Sequence, residues 1–216
     1  MKKLSFYIIA VQIVLVVYFI LPSFYVKSNT ISLMYSISEL IVFSLLIVFL
    51  LYFSKSFSSL KAKKLTLSEI LKFVLIAACA IVVPQFAAKM FFPEFYRLPV
   101  ILVPETTLGR VMQFVSIIVA AVFEEALYRV FLPESLLYLI SCVNIKKPES
   151  ERRIRFAAEF AVVMLFAVQH KYFGAAGVLT AFSAGLAFRF ITVAAGSPFL
   201  AMLIHCCNNL LSLVFN

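Results

Sequence analysis

Charge is scarce in this sequence. Only 13% of its 216 residues are charged, 64% are hydrophobic and the mean hydropathy is +1.07. A soluble domain carries about 25% charged residues, so the composition excludes one and indicates a polytopic membrane protein. Cysteine is sparse too. Cys79, Cys142, Cys206 and Cys207 show no CxxC spacing and lie in or beside apolar stretches, which reads as buried thiols and gives no redox compartment. No internal repeat, low-complexity tract or separate soluble domain is discernible. There is also no GxSxG and no HExxH, so neither a serine nucleophile elbow nor a zincin helix is encoded locally. The net charge of +9 would suit a nucleic-acid partner only on a basic face. Here the Lys and Arg residues fall mainly between apolar runs, where membrane orientation accounts for them and no nucleic acid is implied.

The apolar runs number about seven, which predicts an all-α, polytopic transmembrane bundle. They extend from about Leu4 to Val26, Ile31 to Phe53, Ile70 to Phe92 with Pro84 inside, Val111 to Ile140, Phe156 to Gln169, Ala175 to Thr192 and Pro198 to Phe215. The first lacks a small-residue cleavage site and reads as an uncleaved span. A linker holding Pro93, Pro99 and Pro104 divides residues 1–110, the N-terminal helices, from 111–216, the expected catalytic core in the last four spans. The fourth run would make about 45 Å of helix, more than a hydrocarbon core of about 30 Å needs, and Pro133 is expected to kink it.

Thirteen of the nineteen basic residues collect on one side if the amino terminus is inside: Lys2, Lys3, Lys55, Lys61, Lys63, Lys64, Lys72, Lys146, Lys147, Arg152, Arg153, Arg155 and Arg189. The expected location is therefore a prokaryotic cytoplasmic membrane, with a cytoplasmic N-terminus. Glycines 174, 177 and 185 are expected to allow close helix approach, and Ser183 and Ser197 to pack or cap helices.

Three charges interrupt the fourth run. In VFEEALYRVFLP, Glu124, Glu125 and Arg129 fall within six residues, and each charge costs at least about 2.5–3.5 kcal/mol at depth, so the group needs a reason to be there. Residues four apart share a helical face, so Glu125 and Arg129 can pair, while Glu124 points about 100° away as an unpaired carboxyl suited to take a proton. Arg155 offers Glu159 a partner in the same way. The only two histidines also lie in late runs. His170 ends FAVQH, and His205 in LIHCCNNLL shares a face with Asn209. Two carboxylates, two imidazoles and an amide on separate apolar helices are most economically placed in one pocket.

Glu124-Glu125-x-x-x-Arg129, Phe166-x-x-x-His170 and His205-x-x-x-Asn209, in that order, resemble the three signature motifs of the CAAX protease and bacteriocin-processing family of intramembrane endopeptidases, also called Abi. The resemblance covers about Val111 to Phe215. It implies a membrane-buried cavity lined by Glu124, His170, His205 and Asn209, with Glu125 and Arg129 in support. The partners it implies are the lipid bilayer and a membrane-embedded peptide or protein substrate, with C-terminal processing among the options.

Two mechanisms fit these residues. In one, Glu124 assisted by His170 activates water, while His205 and Asn209 stabilise the oxyanion without a metal. In the other, His170, His205 and Glu124 hold zinc. The metal-free scheme is favoured because no closely spaced ligand pair exists. The rival class is a non-enzymatic transporter or immunity-type membrane protein, disfavoured by the lack of a repeat and by the completeness of all three motifs.

Overall fold

The computed structural model describes residues 2–15, 33–91, 93, 106–143, 145 and 147–215, and every regular element among them is helical. Helix α1 spans Lys2–Leu15, α2 Leu33–Ser54, α3 Leu67–Phe91, α4 Thr107–Glu125, α5 Leu132–Ser141, α6 Pro148–Gln169, α7 Gly174–Ala195 and α8 Phe199–Phe215. A π-helical turn, Ala126–Phe131, joins α4 to α5, and a 3-10 turn, His170–Phe173, joins α6 to α7.

Polar residues set the starts that hydropathy misses. Thr66 and Glu69 form a capping box at α3: the Thr66 backbone N–H donates to Glu69 Oε2 at 2.7 Å, and the Glu69 N–H donates to Thr66 Oγ1 at 3.3 Å. Thr106 Oγ1 caps α4 by accepting from the Gly109 N–H at 3.1 Å. Helix α6 begins at Pro148, eight residues before the expected Phe156. Proline at the first turn is pre-set for helix, and Glu149 and Glu151 there favour the positive end of its dipole.

The fourth run is one helical rod from Thr107 to Ser141, and its irregularity is the π turn rather than a simple kink. The Leu132 N–H reaches back five residues to the Leu127 carbonyl, widening the backbone just before Pro133. This rod lies at the centre. Helix α4 packs on α2 and α8, the π turn on α2 and α7, and α5 on α6. Helices α6 and α7 form an antiparallel hairpin in which Glu159 meets Arg189 and Gly185 faces Val163. A Cβ on Gly185 would stand 3.1 Å from Val163 Cγ1 and 3.3 Å from Phe166 Cδ1, so this glycine does allow the close approach expected of it. Gly174 has a different task, a backbone φ of 75° at the hairpin turn.

Two apolar cores result. Leu50, Phe123, Leu127, Phe131 and Phe166 fill one, and Ala77, Ile81, Ala184, Phe188 and Ile191 fill the other, between α3, α7 and α8. Around them the outer surface is apolar as well. Leu75, Val83, Phe86 and Met90 of α3 and Phe190 of α7 point outward, the arrangement a bilayer selects and water does not. By length and composition two helical stretches are long and apolar enough to cross a membrane, Leu67–Phe91 and the hairpin stretch Pro148–Ala195. Shorter apolar helices cover Lys3–Leu15, Leu40–Ser54 and Phe199–Ser212. A count of seven goes beyond these helices. Residues 16–26 of the expected first span, and the prolines at 99 and 104 of the linker, lie outside the described residues.

Three sequence expectations change. Cys79 and Cys207 are exposed on the apolar surface rather than buried, because none of the described residues packs over those faces of α3 and α8. Arg155 pairs with Glu151 at 2.8 Å instead of Glu159, since the earlier start of α6 supplies an acid one turn before it. Arg189, assigned to the inner surface, is buried inside the bundle and takes Glu159 at 2.7 Å.

Candidate active site

The second glutamate of the pair is the one that the fold encloses. Glu125 and Arg129 are both fully buried, and Glu125 Oε2 lies 3.4 Å from Arg129 Nε. The guanidinium makes no hydrogen bond among the described residues and rests 4.1 Å from the centroid of the Phe166 ring and 5.9 Å from that of Phe188. A planar, weakly hydrated cation is suited to this setting, where a carboxylate and two ring faces replace water. The other oxygen, Glu125 Oε1, is 3.0 Å from His205 Nδ1, a contact across helices that the chain's own spacing does not reveal. Tyr128 OH donates to Gln169 Oε1, tying the π turn to the end of α6 beside His170.

Glu124 points to the other side, into a cavity of about 480 Å³ between α3, α4, α7 and α8. Its side chain is 31% exposed, and His205 Nε2 stands 3.8 Å from its Oε2, so the carboxyl expected to be unpaired faces an imidazole. His170, His205 and Asn209 line the same cavity. The structure thus brings the four predicted cavity residues to one cavity and places the fully buried Glu125 and Arg129 behind it.

Hydrogen-bond partners fix which ring nitrogen carries the proton. The Phe166 carbonyl can only accept, so His170 Nδ1–H donates to it at 2.9 Å, and in the neutral ring it is then Nε2 that carries the lone pair. A carboxylate at Glu125 can likewise only accept, and against it His205 Nδ1–H is the donor. The His205 ring stacks on Phe188 with centroids 5.3 Å apart, which holds its plane. Asn209 Oδ1 accepts from Asn208 Nδ2 at 3.3 Å, leaving the Nδ2 end of Asn209 as its donor.

Among the described residues, no three His, Cys, Asp or Glu side chains come together as a metal-ligand set. Zinc held by Glu124, His170 and His205 would need such a set, so no step below passes through a metal.

A family model described as type II CAAX prenyl endopeptidase Rce1-like matches residues 106–211. Over those residues, just under half of the chain, it is similar to the CAAX endopeptidase family. No curated protein and no solved structure matches it. The family is one of membrane-embedded proteases, and all seven motif residues fall inside the matched stretch.

Several polar residues in and behind this cavity are absent from the motifs. Gln85 of α3, Thr180 of α7 and Asn208 of α8 also line the cavity. Gln85 directly follows Pro84 in an otherwise apolar run, and Asn208 doubles the motif amide; both were visible signals. Glu134 was missed, and Arg189 was read only as a basic residue of the inner side. Glu134 is buried and accepts from Arg189 Nη2 at 2.9 Å, the Ser59 N–H at 2.8 Å and Ser59 Oγ at 2.9 Å.

Proposed function

We propose that the protein is an intramembrane endopeptidase that hydrolyses a peptide bond of a membrane-delivered protein or peptide with water activated by Glu124. The observation that carries this reading is the convergence of Glu124, His170, His205 and Asn209 on one cavity, with Glu125 holding His205 from behind.

In this scheme Glu124 takes a proton from a water while the oxygen attacks the scissile carbonyl. His170 Nε2, free to accept, assists in orienting that water. The developing oxyanion receives hydrogen bonds from Asn209 Nδ2–H and from His205 Nε2–H. That second donor requires the doubly protonated ring, because Nδ1–H is already committed to Glu125. A carboxyl stands at each ring nitrogen, Glu125 Oε1 at 3.0 Å from Nδ1 and Glu124 Oε2 at 3.8 Å from Nε2. Collapse of the tetrahedral species breaks the C–N bond, and the proton held by Glu124 passes to the leaving amine. The apolar walls, including Ile81, Ile117 and Phe188, suit an extended apolar segment delivered from the bilayer. C-terminal processing is the form of cleavage we assign, on family grounds.

The test is cleavage of candidate membrane-tethered peptides by protein reconstituted in liposomes, with and without a chelator. Product formed by the wild type, lost in Glu124→Gln and unchanged by chelation, is the expected result. Activity that a chelator abolishes and added zinc restores would replace the metal-free scheme by the zinc one.

A further inference from the structure

A second buried ionic cluster lies behind the site, and the hydrolytic scheme does not use it. Its centre is Arg189 of α7, whose Nη2 donates to Glu134 Oε1 at 2.9 Å and to Glu159 Oε1 at 2.7 Å. The other arm does not go to a carboxylate. Arg189 Nη1 donates at 2.9 Å to the main-chain carbonyl of Arg129, inside the π turn.

That carbonyl has a reason to need a donor. Position 133, four residues on, is proline, which has no N–H to offer it. The fold repeats the device elsewhere. Pro84 cannot donate to the Ala80 carbonyl, and Ser183 Oγ of α7 donates to it from outside. Helix α7 thus supplies a side-chain donor to the carbonyl four residues before each of these two intrahelical prolines.

We infer that Arg189 is a positioning residue for the active site: by holding the Arg129 carbonyl it sets the π turn that carries Arg129 and, through it, Glu125 and His205. This inference rests on the peptidase reading above. The connection is short and continuous. Arg189 Nη1 holds Arg129 O at 2.9 Å, Arg129 Nε lies 3.4 Å from Glu125 Oε2, and Glu125 Oε1 lies 3.0 Å from His205 Nδ1 on the cavity wall. Arg189 is itself fixed, because Glu134 is tethered through its second oxygen to Ser58 and Ser59 in the α2–α3 loop. Charge neutralisation alone would be met by the two carboxylates and would not aim a nitrogen at a peptide oxygen. Arginine's planar fork allows both at once, and lysine's single ammonium does not.

Three variants test it: Arg189→Lys, Pro133→Ala and their combination, with Glu159→Gln as control. Arg189→Lys keeps the charge facing Glu134 and Glu159, so kcat should fall about tenfold or more with KM within about twofold, as loss of alignment demands. Pro133→Ala returns a backbone donor to the carbonyl, and in that background Arg189→Lys should cost no more than about threefold. Glu159→Gln leaves the arm to Arg129 in place and should retain wild-type kcat. An unchanged kcat in Arg189→Lys, the same loss with and without Pro133, or an equal loss in Glu159→Gln would each overturn the inference. Folded wild type that cleaves nothing would instead sink the peptidase reading. The coupling of positions 133 and 189 is then read from Tm in detergent across the four proteins of the cycle, and additive Tm shifts would overturn the carbonyl contact itself.

Discussion

The two imidazoles lining the cavity are both held through Nδ1, but by different acceptors, one by a carbonyl and one by a carboxylate. That difference assigns them different work and gives graded expectations for single substitutions. Glu124→Gln retains shape and much of the hydrogen bonding but cannot take a proton, so turnover should drop by at least about 10²-fold with normal folded yield. Rates within a few-fold of wild type would remove Glu124 from the role of base. Asn209→Ala deletes a donor that acts in the transition state, so kcat should fall by roughly 10²–10³-fold while substrate binding is nearly unchanged; a rise in KM alone would contradict it. Arg129→Ala is of another kind. It strands the fully buried Glu125, at a cost of about 3–5 kcal/mol, and should lower folded yield as well as activity. At this scale the sequence was highly legible where a polar residue is costly. Glu124, Glu125, Arg129, His170, His205 and Asn209 stand out because little else polar interrupts those runs. Arg189 was legible only as a basic residue to be sorted by side, since nothing local says that Glu134, Glu159 and a carbonyl of another helix await it.

Secondary-structure elements were legible in their centres and less so at their ends. Apolar length located α3, α7 and α8 to within a few residues, whereas α6 starts eight residues early because its first two turns are polar and lie under Pro148. The π turn could not be read at all beyond the mark left by Pro133. A register change of one residue depends on what the neighbouring helices offer the backbone. Gly185 marks where such neighbours are closest. Gly185→Leu should force α7 from Val163 and Phe166 and cost about 1–3 kcal/mol by overpacking, seen as a lower Tm in detergent. The same substitution at Leu186, which is exposed on the next position, is the control in reverse: Leu186→Gly should change Tm only by the lost helix propensity, about 1 kcal/mol. Equal shifts from the two would show that the α6–α7 contact is not the tight one.

Among the described residues the helices turn apolar faces outward and gather buried polar side chains at the cavity and in the cluster behind it, the reverse of a soluble enzyme. This inversion makes two native cysteines into reporters. Cys79 on α3 and Cys207 on α8 are exposed among apolar neighbours, so in a bilayer both face hydrocarbon. A thiol reacts as its thiolate, which needs water, and a charged thiol reagent does not enter lipid. In sealed liposomes neither cysteine should label with a charged, water-soluble reagent over a time that suffices to label both after denaturation in SDS. A cysteine placed at Lys63, in the basic α2–α3 loop, should label rapidly from the side on which that loop lies. If this side is the cytoplasm, as expected from the charge distribution, labelling at position 63 in intact cells should appear only after the membrane is permeabilised. Fast labelling of Cys79 and Cys207 without denaturation would mean that these faces meet water, and the membrane-facing assignment of α3 and α8 would have to be abandoned. Labelling of position 63 from outside intact cells would leave that assignment standing and invert the orientation, placing the basic loop and the end of α7 packed beside it on the opposite surface.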